Sequence, residues 1–166
     1  MKNIIVLAVL LLAVSSSIAQ EKNLYNPEAD AEKDIAAAVK QAKKEHKFVL
    51  LQGGGNWCSW CIEFARFAKA DPKIDSIMND NFVIYHLNYS KENQNTKIFY
   101  KYGFAHRFGF PVFIILDGNG KLVHIQNSEY LEDGKKSYDR QKVIEFLYGW
   151  YPKALDPKTY GIKSNG

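Results

Sequence analysis

GGGNWCSWCIEF, residues Gly53 to Phe64, carries both cysteines of a 166-residue chain, two residues apart and each preceded by a tryptophan. Just before it, Phe48 to Leu51 is a short apolar run of strand type. Just after the first thiol, Ser59 to Ala70 has the apolar spacing of a helix that stops near Asp71-Pro72. The pair therefore sits where a strand hands over to a helix, the place where α/β folds put their chemistry. A helix beginning near Cys58 offers that thiol unpaired backbone N–H groups and the positive end of the helix dipole. Both favour the thiolate, the species that attacks. Cys61 lies one turn deeper on the same face, which brings the two α-carbons within the roughly 4.4–6.8 Å a disulfide needs.

The beginning of the chain bears on whether such a pair is oxidised. MKNIIVLAVLLLAVSSSIA, residues 1–19, has Lys2, an apolar run from Ile4 to Val14, and small residues at Ser17 and Ala19. That is the layout of a secretory signal peptide cut after Ala19, and its apolar run is far shorter than the roughly 20 residues of a membrane span. Export to an extracytoplasmic space, the periplasm or beyond, with no membrane insertion after cleavage, is the expectation. Two cysteines in an exported chain point to one disulfide. A two-residue loop removes little entropy from the unfolded chain, so the bond reads as reactive rather than as a staple. A closed zinc site needs four ligands, and His46, His86, His106 and His124 are scattered without a paired spacing. No metal or other cofactor is implied.

Residues 20–166 hold 21 basic and 18 acidic side chains, a net charge of +3 with the signs interspersed. No basic run of the nucleic-acid type appears. Residues 20–29 read as a polar, mobile lead-in. Asp30 to His46 is an amphipathic helix with Ile35, Ala38, Val39 and Ala42 at helical spacing. Phe82 to Tyr89 reads as a central strand and Asn93 to Tyr102 as a helix. Pro111–Leu116 and Leu122–Ile125 flank Asp117-Gly118-Asn119-Gly120, a hairpin signal. Asp139 to Tyr151 closes the pattern as a helix, followed by a tail over 152–166. The predicted order is α-β-α-β-α-β-β-α, with a parallel part and an antiparallel edge.

Trp57-Cys58-Ser59-Trp60-Cys61 resembles the Trp-Cys-x-x-Cys site of the thioredoxin superfamily, and Phe110-Pro111 followed by VFIILDGNGKLV resembles its cis-proline strand and hairpin. The likeness extends over residues 30–151 and is nearest to exported bacterial thioredoxin-like proteins with a tryptophan before the second cysteine. It implies an α/β fold with a central mixed sheet flanked by helices. It also implies that Cys58 is the nucleophile, Cys61 the resolving thiol, and Pro111 a cis-proline whose neighbouring backbone, at Phe110, meets an extended substrate. Trp57 and Trp60 would border the sulfurs.

Two departures stand out. Where thioredoxin has a buried aspartate six residues before its first cysteine, this chain has Gln52, which cannot accept a proton. Glu63 is the nearest carboxylate in sequence, and stands either as a substitute proton acceptor or as an ordinary solvated helix residue. Gly53-Gly54-Gly55 replaces bulkier residues, for close backbone approach or for a flexible loop. The expected function is thiol–disulfide exchange on protein disulfides, with a redox partner protein as electron donor. Ser59-Trp60 lacks the imidazole of the strongly oxidising Cys-Pro-His-Cys sites, which favours a reductase or isomerase. A redox-inert binding module or assembly chaperone on the same fold, and a redox sensor, are the alternatives.

Overall fold

The computed structural model describes residues 23–162. The predicted signal peptide, residues 1–19, lies outside them. Nine elements follow in order: α1 (Ala31–Glu45), β1 (Phe48–Gly54), α2 (Ser59–Ala70), α3 (Pro72–Asn81), β2 (Phe82–Asn88), α4 (Thr96–Lys101), β3 (Val112–Leu116), β4 (Leu122–Asn127) and α5 (Arg140–Gly149). Short 3₁₀ turns fill several connections and the segments 152–155 and 157–160. Among the described residues no helix is long and apolar enough to cross a membrane.

The four strands form one mixed sheet in the order β2-β1-β3-β4. β1 and β2 are parallel, and β3 runs antiparallel to both β1 and β4. The two inner strands alternate their apolar residues between two layers, as the twofold period of a strand requires. Val49, Leu51, Val112, Ile114 and Leu116 pack with Ile35, Ala38 and Ala42 of α1 and with Phe99 of α4. Leu50, Phe113 and Ile115 face the other way, onto Phe64 of α2, Ile74 and Ile77 of α3, and Val143 and Leu147 of α5. The result is a helix–sheet–helix sandwich of thioredoxin type, as the resemblance implies.

Three expectations need correction. Asp71-Pro72 ends α2 but also begins α3, which the sequence reading lacked. Asp71 Oδ1 accepts hydrogen bonds from the N–H groups of Lys73 and Ile74, and Pro72 occupies the first turn, where its missing N–H costs nothing. Among the described residues β2 is an edge strand, paired only with β1. Its apolar character comes from cover by α1 and α3 rather than from strands on both sides. α4 begins at Thr96 rather than Asn93, because Asn95 sits in the left-handed region at φ 48°.

The lead-in also differs from expectation. Across its described part, residues 23–29, it is folded against the domain. Tyr25 is completely buried. Its N–H donates to Asn56 Oδ1 at 3.0 Å, and Asn56 Nδ2 donates back to the Tyr25 carbonyl at 2.8 Å. Asn93 Nδ2 donates to the Pro27 carbonyl at 3.1 Å. These bonds lash the segment to the loops that follow β1 and β2.

Candidate active site

Cys58 is the N-cap of α2, in extended conformation, and its Sγ accepts a hydrogen bond from the Cys61 N–H at 3.2 Å. The same N–H also donates to the Cys58 carbonyl at 3.1 Å, so the N–H at the sulfur is shared rather than unpaired as the sequence suggested. The two cysteines form a disulfide with α-carbons 5.2 Å apart. Their burial is unequal: Cys58 keeps 6% of its surface exposed and Cys61 none.

The remaining predicted residues gather at the same end of the sheet. The Phe110–Pro111 peptide is cis. Val112 pairs with Gly53, so Pro111 stands across from the end of β1 from which the cysteine loop departs. Phe110 packs against the Tyr25–Cys58–Cys61 cluster and meets Trp57 edge-on at 5.7 Å. Trp57 is 61% exposed, held in place by an indole N–H donated to the Tyr89 carbonyl at 2.7 Å. Trp60 is half-buried. It packs on the same cluster and edge-on against Tyr138, whose hydroxyl donates to the Trp60 carbonyl at 3.0 Å.

Glu63 is occupied elsewhere. Both its carboxylate oxygens take hydrogen bonds from the Arg66 guanidinium, at 2.7 and 2.8 Å, and Ser137 Oγ donates to it at 2.5 Å. Arg66 first, and Ser137 second, hold the carboxyl below the usual carboxylate range. None of its hydrogen bonds reaches a cysteine. The geometry makes Glu63 a tie between α2 and the segment before α5, in keeping with the second of the two readings offered by the sequence, an ordinary helix residue.

Gln52 is buried in β1 behind the disulfide. Its Nε2 donates to the Tyr25 hydroxyl at 2.9 Å and to the Cys61 carbonyl at 3.0 Å. On its far side a cleft of about 330 Å³ is lined by Leu24, Gln52, Phe64 and His86, with Lys69 and Asp75 among its other walls. Burial pushes the His86 imidazole down to about 4, so it is neutral at pH 7. Among the described residues no three His, Cys, Asp or Glu side chains are grouped to hold a metal ion.

The glycine run serves close approach. A Cβ on Gly54 would overlap Cys61 Sγ and lie 2.7 Å from the Tyr25 hydroxyl oxygen, and one on Gly55 would lie 2.6 Å from the Tyr89 carbonyl. Neither the disulfide nor a buried tyrosine ring yields easily, so Gly54→Ala is expected to destabilise the oxidised protein by about 1–3 kcal/mol. Gly149, at the end of α5, has open space around it, and Gly149→Ala is expected to stabilise by up to about 1 kcal/mol. Urea denaturation of the two variants beside the wild type checks both signs.

A Cys-x-x-Cys disulfide at the start of a helix, opposite a cis-proline and on a mixed α/β sheet, defines a thiol–disulfide site of thioredoxin type. Comparison with known proteins agrees. A family model described as "Thioredoxin-like" matches residues 30–118, and the chain belongs to that family. No curated protein sequence matches the chain. Among solved structures, a disulphide isomerase from Xylella fastidiosa Temecula1 is similar, with a TM-score of 0.66 at 21% identity, covering 80% of this chain and 97% of its own. The C-terminal domain of DsbD from Neisseria meningitidis in its oxidised form is also similar, with a TM-score of 0.53 at 19% identity, covering 72% and 95%. At these identities the structural likeness speaks to the fold.

Tyr25 lies outside the region the family model matches. A lone tyrosine in a polar segment has no periodicity, so no sequence signal marked it.

Proposed function

We propose that the chain is an exported thiol–disulfide oxidoreductase acting on protein disulfides, in the reductase or isomerase direction, with Cys58 as nucleophile and Cys61 as resolving thiol. The observation that carries the reading is the asymmetry of the pair: Cys58 at the helix N-cap keeps 6% of its surface exposed, and Cys61 keeps none. The reduced pair reacts in two displacements. Cys58 thiolate attacks one sulfur of a substrate disulfide, and the other substrate sulfur leaves as a thiolate. Cys61, deprotonated, attacks Cys58 Sγ, releases the second substrate thiolate and closes the internal disulfide. Two electrons pass to the substrate, and a dithiol partner protein returns them. Trp57, Phe110 and Pro111 form the rim that a substrate segment would meet, with Trp60 supporting the pair from the α2 side.

The layout of residues 1–19 supports export. The absence of a charged or imidazole group between the cysteines supports the reductase or isomerase direction, because nothing there stabilises the Cys58 thiolate beyond the helix end.

Brief alkylation of the reduced full chain, followed by peptide mapping, tests the assignment. Label is expected on Cys58 well before Cys61. Preferential labelling of Cys61 overturns the roles, and an unreactive Cys58 favours the binding-module reading.

A further inference from the structure

Among the described residues, the Tyr25 hydroxyl accepts a hydrogen bond from Gln52 and makes none as a donor. Gln52 Nε2 has two hydrogens, and both are spent, one on Tyr25 Oη and one on the Cys61 carbonyl. The carbonyl can only accept, which fixes which end of the amide faces it. Tyr25 Oη is therefore an acceptor from Gln52, and its own O–H remains to be donated. The phenol is fully buried, where an unmet donor is costly. Cys61 Sγ borders the phenol, and the two residues belong to one buried cluster. The two are so close that a single carbon added at Gly54 would strike both.

We propose that Tyr25 is a positioning residue for Cys61: when the disulfide is open, its hydroxyl donates to the Cys61 sulfur and stabilises the thiolate that resolves the mixed disulfide. The inference rests on the thiol–disulfide reading above and deepens it. In the disulfide, the Cys61 sulfur is a weak acceptor, and as a thiolate it is a strong one. The donor's interaction thus grows as Cys61 loses its proton to water and attacks Cys58 Sγ. Burial raises the phenol's own pKa, so Tyr25 stays protonated and acts as donor, never as base.

The ionisable groups around Cys61 are few. Cys58 is its disulfide partner, and Tyr25 comes from the lead-in. His86 of β2 lies edge-on to Tyr25 at 5.5 Å and is neutral above pH 6. Tyr138 is engaged on the Trp60 carbonyl, and Glu63 on Arg66 and Ser137. Above pH 7, a shift in the titration of the resolving step therefore belongs to Cys61 and its hydrogen bonds.

The test uses the reduced full chain and one equivalent of the aromatic disulfide DTNB, which releases one coloured thiolate at each step. The first release reports attack by Cys58, and the second reports displacement by Cys61. Tyr25→Phe keeps the ring and removes the donor. It is expected to leave the first phase within about twofold and to slow the second about tenfold at pH 7, the scale of a lost hydrogen bond to a charged group. The apparent pKa of the second phase is expected to rise by about one unit. Identical second-phase pH profiles for Tyr25→Phe and wild type overturn the proposal. So does slowing by Tyr25→Leu but not by Tyr25→Phe, which assigns the residue to packing alone. A wild type without any second phase overturns the thiol–disulfide reading itself, and this inference with it.

Discussion

Cys58→Ser is expected to leave the full chain with no disulfide reduction above the uncatalysed rate, and Cys61→Ser to stop after one step with substrate attached. The contrast follows from the unequal places of the two sulfurs. Cys58 sits at the N-terminus of α2 with a helix N–H donated to it and keeps the larger exposed surface of the pair, which on the proposed reading makes its thiolate the favoured one and the one a substrate meets. A serine hydroxyl there has no comparable nucleophilicity, and no first displacement occurs. With Cys61→Ser the first displacement is intact and the second has no attacking sulfur. Mixed disulfides then accumulate on Cys58. Non-reducing electrophoresis of each variant after mixing with an extract of the exported compartment reads the difference. Adducts in Cys61→Ser and none in Cys58→Ser are expected; the reverse pattern exchanges the roles.

The second large effect concerns acid. The His86 imidazole titrates near 6.5 in the unfolded chain and near 4 when folded, because burial disfavours its charged form. Between those values the unfolded chain holds a proton that the folded chain lacks, so stability rises with pH across the window. The contribution is fully present above pH 6.5 and is lost as pH falls towards 4. At its limit it amounts to about 3 kcal/mol, at roughly 1.4 kcal/mol per pH unit. His86→Phe keeps a ring against the edge of Tyr25 and removes the titration. Urea denaturation between pH 4 and 7 is expected to show a steeper loss of stability for wild type than for His86→Phe. Parallel curves would place the acid sensitivity elsewhere.

What was legible in the sequence was local. The cysteine pair, the helix start at Cys58 and the Asp117–Gly120 hairpin are each written within a few residues. The hairpin closes as expected, with Asp117 Oδ1 accepting from the N–H groups of Asn119 and Lys121. The cis-proline came through the family resemblance, and the structure bears it out. What escaped depends on distance along the chain or on signals that read both ways. Pro72 ends one helix and starts another, and only the Asp71 cap tells which. β2 looks central because helices bury it, and strand order is a tertiary property. Tyr25 meets Gln52 across 27 residues, and Glu63 meets Ser137 across 74. Nothing near Tyr25 announces that it closes the back of the site, and nothing near Glu63 announces that its carboxylate is already taken.

The dithiol–disulfide couple is tested most directly by the reduction of insulin with dithiothreitol, the full chain being present in catalytic amount. The account predicts that the wild type shortens the lag before insulin precipitates and that Cys58→Ser does not. A lag that is the same with and without the wild-type chain contradicts it.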